Sequence, residues 1–262
     1  MNPPAWLRRR CLTAPLISVA LCAQALAASA QAARDLPFAP GERFEYTGRV
    51  HVGVSGKGSI WVEGGTEIRG TPTWTLHSEM EGRLGFIRAT DKSASWLDPV
   101  RFASLRYTTA ERHLLARYNE AADIFPEERR WRSDGGTTGT TEADAPLDEL
   151  SFLFYLRTLP FRSDAPVVIS RHFDKARNPT LVTVVGREDV AVGAGRFHAL
   201  IVEMRVRDPR RYKGDGVIRI ALSDDKCRLL LRLESEMPDA GRATLALASY
   251  AGTQCECTAR VP

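Results

Sequence analysis

The sequence predicts a mainly β protein: a long, curled, mostly antiparallel sheet, a half-open barrel or β-spiral, wrapped around one principal α-helix. Three observations predict it. Short runs that alternate apolar and polar residues recur through most of the chain, separated by Gly, Pro and Asp turns. One stretch, residues 144–160, breaks the alternation and is apolar nearly all round a helical wheel. The strand-like segments number about ten to twelve, and a sheet that long must curl or close around something.

The N-terminus comes first. Residues 1–32 have the layout of a secretory signal: Arg8, Arg9 and Arg10, then an apolar run over 12–28, then small residues suited to a signal peptidase. Pro15 interrupts the run, and it is short for a retained membrane anchor. Cys22 follows Val-Ala-Leu, which resembles a lipoprotein box, but the Leu directly before the Cys is a poor match. The expectation is therefore a soluble, exported, periplasmic protein, at most peripheral to a membrane, with residues 33–262 as a single mainly β domain. The formal charge of +4 includes the three leader arginines, so the exported chain would be near neutral and gives no support for nucleic-acid binding.

The opening of the domain, Pro37-Phe38-Ala39-Pro40-Gly41-Glu42, leads into residues 43–52. There Phe44, Tyr46, Val50 and Val52 face one way, and Arg43, Glu45, Arg49 and His51 the other, which is a half-buried strand. Residues 53–58 read as a glycine-rich hairpin loop rather than a phosphate cradle, since no helix pattern or Walker spacing follows. Strands are expected at 59–63, 73–80 (Trp74, Leu76 and Met80 against Thr73, Thr75, His77 and Glu79), 86–90, 101–108 and 112–119. Residues 133–141 read as a polar loop.

The helix follows. Asp144 is the expected N-cap, Pro146 suits a first turn, Asp148 and Glu149 complement the dipole, and Pro160 supplies the stop. Leu147, Leu150, Phe152, Leu153, Phe154, Tyr155, Leu156 and Leu159 leave no clean polar stripe. Such a helix belongs in a core. The functional alternative is a helix that lines or plugs an apolar cavity, with Leu150, Leu153, Phe154, Tyr155 and Trp74 as the ligand contacts.

Strands resume at 167–173, 180–185, 196–207, 216–223, 228–234 and 243–250, with a connection at 187–195 and a turn at Lys213-Gly214-Asp215-Gly216. Three cysteines lie beyond the leader. Cys227 begins one strand-like run and Cys255 ends the next, and the turn at 237–241 lies near their midpoint. A hairpin would place Cys227 opposite Cys255, with Cys227–Cys257 the alternative and one thiol left over.

Catalytic patterns do not emerge. The chain has no metalloprotease pair, lipase elbow, Rossmann glycine set or CxxC. His51, His77, His113, His172 and His198 are scattered, and His172 with Asp174 reads as a solvated edge. Asp224 and Asp225 read as a turn rather than a calcium site. Trp61, Trp74, Trp96 and Trp131 read as core and rim residues. No catalytic residue, metal ligand or cofactor is expected.

Several local patterns together carry a family resemblance. They are Pro37-Phe38 with Gly41-Glu42-Arg43-Phe44 and Tyr46, then Asp148-Glu149-Leu150-Ser151-Phe152-Leu153-Phe154-Tyr155-Leu156-Arg157, then Gly195-Arg196-Phe197-His198-Ala199 and Leu222-Ser223-Asp224-Asp225. In order and spacing they resemble the bacterial family called domain of unknown function 3108. The resemblance implies an exported envelope protein and a fold, not a mechanism. The layout is also similar to the curled sheets around a helix of bacterial lipoprotein carriers. The functional expectation is a non-enzymatic protein that holds a lipid or acyl chain in its curled sheet and supports the cell envelope. The alternative is an envelope scaffold with a filled core that binds a protein or cell-wall partner through its surface.

Overall fold

Two antiparallel meanders join into one sheet. The computed structural model describes residues 36–50, 54–84, 87–112, 117–161, 165–209, 213–237 and 241–261. The leader, Cys22, His51, Val52 and His113 lie outside them. The first meander runs β1 (Arg43–Val50), β2 (Val54–Ile68), β3 (Thr71–Leu84), β4 (Ile87–Asp98), β5 (Ala103–Arg112), β6 (Arg117–Phe125), β7 (Arg130–Ser133) and β8 (Thr138–Thr140). The second runs β9 (Val167–Ile169), β10 (Thr180–Val192), β11 (Gly195–Arg207), β12 (Asp215–Ser223), β13 (Leu230–Met237) and β14 (Gly241–Ala251).

Antiparallel pairing of β1 with β14 fuses the two, so the sheet runs from β8 through β1 and β14 to β9 without closing into a barrel. A last strand, β15 (Arg260–Val261), pairs with β11 at Arg196 and Phe197, just beyond the stretch that β12 occupies. The mainly β, single-sheet expectation holds. The described strands number fifteen rather than ten to twelve.

Four local readings differ, each for a physical reason. Residues 54–58 are not loop but the start of β2. Glycines let that strand approach its neighbour: a Cβ at Gly56 would lie 2.6 Å from the Glu81 carbonyl oxygen, and one at Gly58 2.3 Å from Met80 Sδ. Gly48, Gly56 and Gly82 stand opposite one another on β1, β2 and β3, a row of missing side chains across three strands. Residues 112–119 do not form one strand, because Arg112 pairs with Arg117 across a hairpin. Residues 187–192 continue β10 against β11, with Arg187, Glu188 and Asp189 exposed and Val190 buried. Finally, the polar segment 133–141 contains the edge strand β8.

The single α-helix of the described residues, α1 (Glu149–Leu156), lies in the connection between the two meanders. Chain entering and leaving it is stitched together: Leu147 N donates to the Arg171 carbonyl at 2.6 Å, and Phe173 N to the Leu147 carbonyl at 2.8 Å. The N-cap is Asp148, not Asp144. Asp148 Oδ1 accepts from the amides of Leu150 and Ser151, both at 2.9 Å, and Ser151 Oγ accepts from Asp148 N, which completes a capping box. Asp144 is exposed and pairs with Arg129. Pro146 precedes the helix, where its carbonyl accepts from Ser104 N at 2.8 Å.

The other end closes before Pro160. The amides of Arg157 and Thr158 turn back to the carbonyls of Phe154 and Tyr155 at 3.1 and 2.9 Å, a tightened last turn. Arg157 then enters the core. Its guanidinium bonds both oxygens of Glu42, at 2.5 and 2.9 Å, and donates to the carbonyls of Pro37 and Cys227, each at 3.0 Å. Both side chains of this pair are fully buried. The rings of Phe38, Phe44 and Phe154 surround the guanidinium.

Cys227 and Cys255 are disulfide-bonded, as the hairpin geometry predicts, and Cys257 keeps a free thiol.

Glu42→Gln would strand the Arg157 charge in the core and should lower unfolding free energy by about 3–5 kcal/mol, read from denaturant melts. Restoring shape without charge, as in Glu42→Gln combined with Arg157→Met, should recover part of that loss. The disulfide closes a loop of 28 residues. Cys227→Ser with Cys255→Ser should therefore cost about 3–4 kcal/mol in the same assay.

Candidate functional site

The concave face of the sheet, on the side that meets α1, is where a ligand could be held. Phe44, Ile60, Leu76 and Leu97 point to it from β1–β4, and Leu200, Val202, Ile220, Leu222 and Leu247 from the second meander, all fully buried in one core. Register fixes this side, because Phe44 faces Ile60 and Leu200 faces Leu222 across neighbouring strands.

Three of the five predicted contact residues meet in an aromatic cluster. The Phe38 ring lies 4.8 Å from Phe154, 5.9 Å from Trp74 and 6.0 Å from Phe102, and Phe102 lies 5.5 Å from Tyr155. Phe38 belongs to the N-terminal arm, so the chain's own ring occupies the space between Trp74 and the helix. Leu150 and Leu153 are also buried on α1. At the helix end, then, the concave face is filled by protein.

A polar cluster fixes the other side of the helix start. Asp148 Oδ2 accepts from Ser95 Oγ of β4 at 2.5 Å, and Ser104 Oγ of β5 lies 2.7 Å from Ser151 Oγ. Burial pushes the Asp148 carboxyl up from its usual range, against the pull of its hydrogen-bond donors. Burial likewise raises the Tyr107 hydroxyl. Each of these serines and Asp148 is enclosed and engaged, so the cluster holds the helix rather than presenting a nucleophile.

His172 and Asp174 are buried beside it, not on a solvated edge. The bridge of Leu147 to the backbone at 171–173 draws them in. His172 Nδ1 accepts from Asp174 N at 3.0 Å, and its Nε2 lies 3.4 Å from the Glu149 carboxylate without hydrogen-bond geometry. Desolvation holds the His172 ring below its ordinary pKa, against the charges of Asp174, Asp148 and Glu120.

A second buried arginine, Arg177, crosses the concave side. It pairs with Asp208 after β11 at 2.9 Å, with Glu120 of β6 at 3.2 Å, and with Glu149 of α1. It therefore ties both meanders to the helix. Sequence reasoning missed Arg157 and Arg177 as core residues. The available signal was a single arginine in an otherwise apolar helix.

The remaining candidates resolve as structure. Asp225 organises its turn by accepting from Ser223 Oγ and the amides of Cys227 and Arg228, and it anchors the C-terminal segment through Ala259 N at 2.9 Å. The Cys257 thiol is pushed up to about 11 by burial and by Asp225, which leaves little thiolate at neutral pH. His77 stacks on Trp61 on the outer face, and His198 is exposed beside Asp189. Among the described residues no group of three or more His, Cys, Asp or Glu could hold a metal. An outer surface cleft of about 410 Å³ is lined by residues including Arg43, Trp61 and Glu63.

What remains open is the far end of the concave face. α1 has 8 residues, about 12 Å, whereas β2 and β3 have 15 and 14, roughly 50 Å when extended. Toward the hairpin end Met80, Val206, Ile218, Leu233 and Leu245 continue the same side but are only part-buried, with Asp91 and Glu111 beside Met80 on β4 and β5. The predicted alternation included Met80 and Ile218, but the reading tied the site to the helix instead.

Fold and site define a β-barrel-like protein: an open antiparallel sheet whose inner side packs against one helix and, toward the hairpin end, carries apolar side chains together with Asp91 and Glu111. The chain belongs to DUF3108, a family described as proteins of unknown function, whose profile matches residues 45–248. A β-barrel-like protein of the domain of unknown function DUF1849 from Brucella abortus has the same fold, with a TM-score of 0.52 and 10% identity over 80% of this chain and 96% of that one. A candidate lipoprotein from Parabacteroides distasonis aligns with a TM-score of 0.29 and 12% identity, over 83% of this chain and 98% of that one. A candidate exported protein with a YmcC-like fold from Bacteroides fragilis aligns with a TM-score of 0.32 and 11% identity, over the same shares. No curated protein sequence matches the chain.

The buried neutral His172 gives stability a signed pH dependence. Its folded pKa lies below its unfolded value of about 6.5, so the unfolded chain binds the proton first. Stability is fully present above that pH and falls as pH drops from about 6.5 toward the depressed folded value. Denaturant midpoints measured between pH 7.5 and 5.5 should decline for the native protein and decline less for His172→Gln.

Proposed function

We propose that the protein is an exported, non-enzymatic component of the bacterial envelope that holds a hydrophobic ligand, a lipid or acyl chain, against the far end of its concave face. The observation that carries this reading is the set of part-buried apolar side chains Met80, Val206, Ile218, Leu233 and Leu245 on the inner side of the sheet. An acyl chain laid against those side chains would gain about 0.8 kcal/mol for each methylene removed from water. The ligand is thus expected past the helix rather than against Leu150, Leu153, Phe154, Tyr155 and Trp74. Export to the periplasm is supported by the signal-like residues 1–32.

A second reading has its own support. Phe38 fills the space between Trp74 and Phe154, which fits an envelope scaffold with a filled core that meets a protein or cell-wall partner through its outer surface.

Native mass spectrometry of gently purified protein separates the two. The ligand reading expects an adduct of lipid mass and tight binding of a fluorescent fatty acid. It also expects both to be lost in Ile218→Asp combined with Leu233→Asp, while the thermal melt stays cooperative. A lipid-free protein that ignores the fatty-acid probe would leave only the scaffold.

A further inference from the structure

At the hairpin end of β1, β3, β4, β5 and β6, five exposed arginines share the outer face. Arg49, Ser55, Arg83 and Arg88 stand in one row across β1–β4. Arg112 of β5 stands opposite Thr90, two residues along β4 from Arg88 and so on the same side, and Arg117 of β6 stands opposite Arg112. All five are exposed. The row spans six adjacent strands, about 24 Å.

Two features set this patch apart from an ordinary solvated face. Arg83 lies directly opposite Arg88, and Arg112 directly opposite Arg117. Like charges in directly opposed positions weaken strand pairing; Glu81 bridges Arg83 and Arg88, but among the described residues no carboxylate offsets the Arg112–Arg117 pair, so fold stability does not account for that pair. The nearby carboxylates on this face are also already engaged. Glu81 is shared by Arg83 at 3.0 Å and Arg88 at 2.5 Å, and Glu79 holds Lys92 at 2.7 Å. Among the described residues, Arg49, Arg112 and Arg117 meet no carboxylate within ion-pair distance. Elsewhere on the outer surface Arg187, Arg196, Arg219 and Arg242 each have an acidic partner.

We propose that this arginine row docks the protein onto an anionic phospholipid surface. Planar guanidinium groups bond phosphate oxygens in pairs, and basic residues held at an anionic bilayer act together. The sequence favours a bilayer over a soluble polyanion. The signal-like residues 1–32 would deliver the chain to a compartment bounded by phospholipid bilayers. Docking by this end would bring the uncovered end of the concave face to the membrane. The inference goes beyond the ligand reading and does not depend on it.

The test is co-sedimentation of the full chain with vesicles of phosphatidylcholine, with and without about one-third phosphatidylglycerol, at low salt. Binding is expected only with phosphatidylglycerol, and it should weaken as salt is raised. Arg112→Ser with Arg117→Ser should weaken partitioning about 25-fold, at about fivefold per arginine. The same variant should melt no lower than the native protein, since a repulsion is removed. Arg187→Ser with Arg196→Ser makes the same change in net charge on paired arginines and should bind as the native protein does. Equal binding to both vesicles, no binding to either, retention of heparin alone, or equal losses in the two double variants would each overturn the proposal.

Discussion

A fully buried ion pair decides where everything else can sit. Arg157 caps α1, Glu42 opens the domain, and the guanidinium also reaches carbonyls at Pro37 and Cys227. Helix, N-terminal arm and the disulfide-bearing turn before β13 therefore converge on one charge. Desolvating two ions is costly, and only the paired geometry with its extra carbonyl acceptors offsets it. Such a pair adds little net stability compared with a greasy core, but it tolerates very few arrangements. A helix apolar all round could rotate or slide among equivalent packings, and the Arg157 anchor removes that freedom. Asp148 does the same at the other end through Ser95 and the capping box. The two anchors act on opposite ends of eight residues, so register along the sheet is fixed as well as orientation.

The fold class was legible because alternation is a direct consequence of a sheet with one buried face, and the helix because it alone broke the rule. The Cys227–Cys255 bond was legible because a turn midway between two cysteines leaves few pairings. What escaped reading did so for reasons of partnership. Arg157 looked like a polar residue on a helix until Glu42, more than a hundred residues earlier in sequence, was beside it. Asp144 and Asp148 are equally good caps by composition, and only the serines of β4, β5 and α1 choose between them. The glycine-rich start of β2 resembles a turn because glycine serves turns and close strand approach alike; the Glu81 carbonyl beneath Gly56 decides the matter.

Position along the strand was the largest omission. Periodicity tells which face a residue takes but not which end of the sheet it reaches. Leu76 and Met80, Ile220 and Ile218, Leu247 and Leu245 are matched pairs on the same side of the same strands. In each pair the first is fully buried and the second is not. The difference is whether helix and arm extend that far. A sequence reading that assigns one environment to a whole strand therefore merges two environments. The residues it read as ligand contacts lie at the helix end, where Phe38 packs against Trp74 and Phe154.

This division of the strand into two ends also explains how opposite electrostatic designs coexist in one small protein. At the helix end arginines are drawn inward and matched: Arg157 with Glu42, and Arg177 with Glu120, Asp208 and Glu149. Buried guanidinium groups without partners would not be tolerated there, so the terminal nitrogens of each meet several acceptors, and only Nε is left without one. At the hairpin end Arg49, Arg112 and Arg117 remain on the outer face, and Arg112 and Arg117 are set directly opposite each other with no carboxylate between them among the described residues. Water screens that repulsion enough for the sheet to bear it, and the same water leaves those groups open to an external anion. The inner arginines fix the architecture because they have no alternative partner, whereas the outer ones are free to engage a partner because the architecture does not need them.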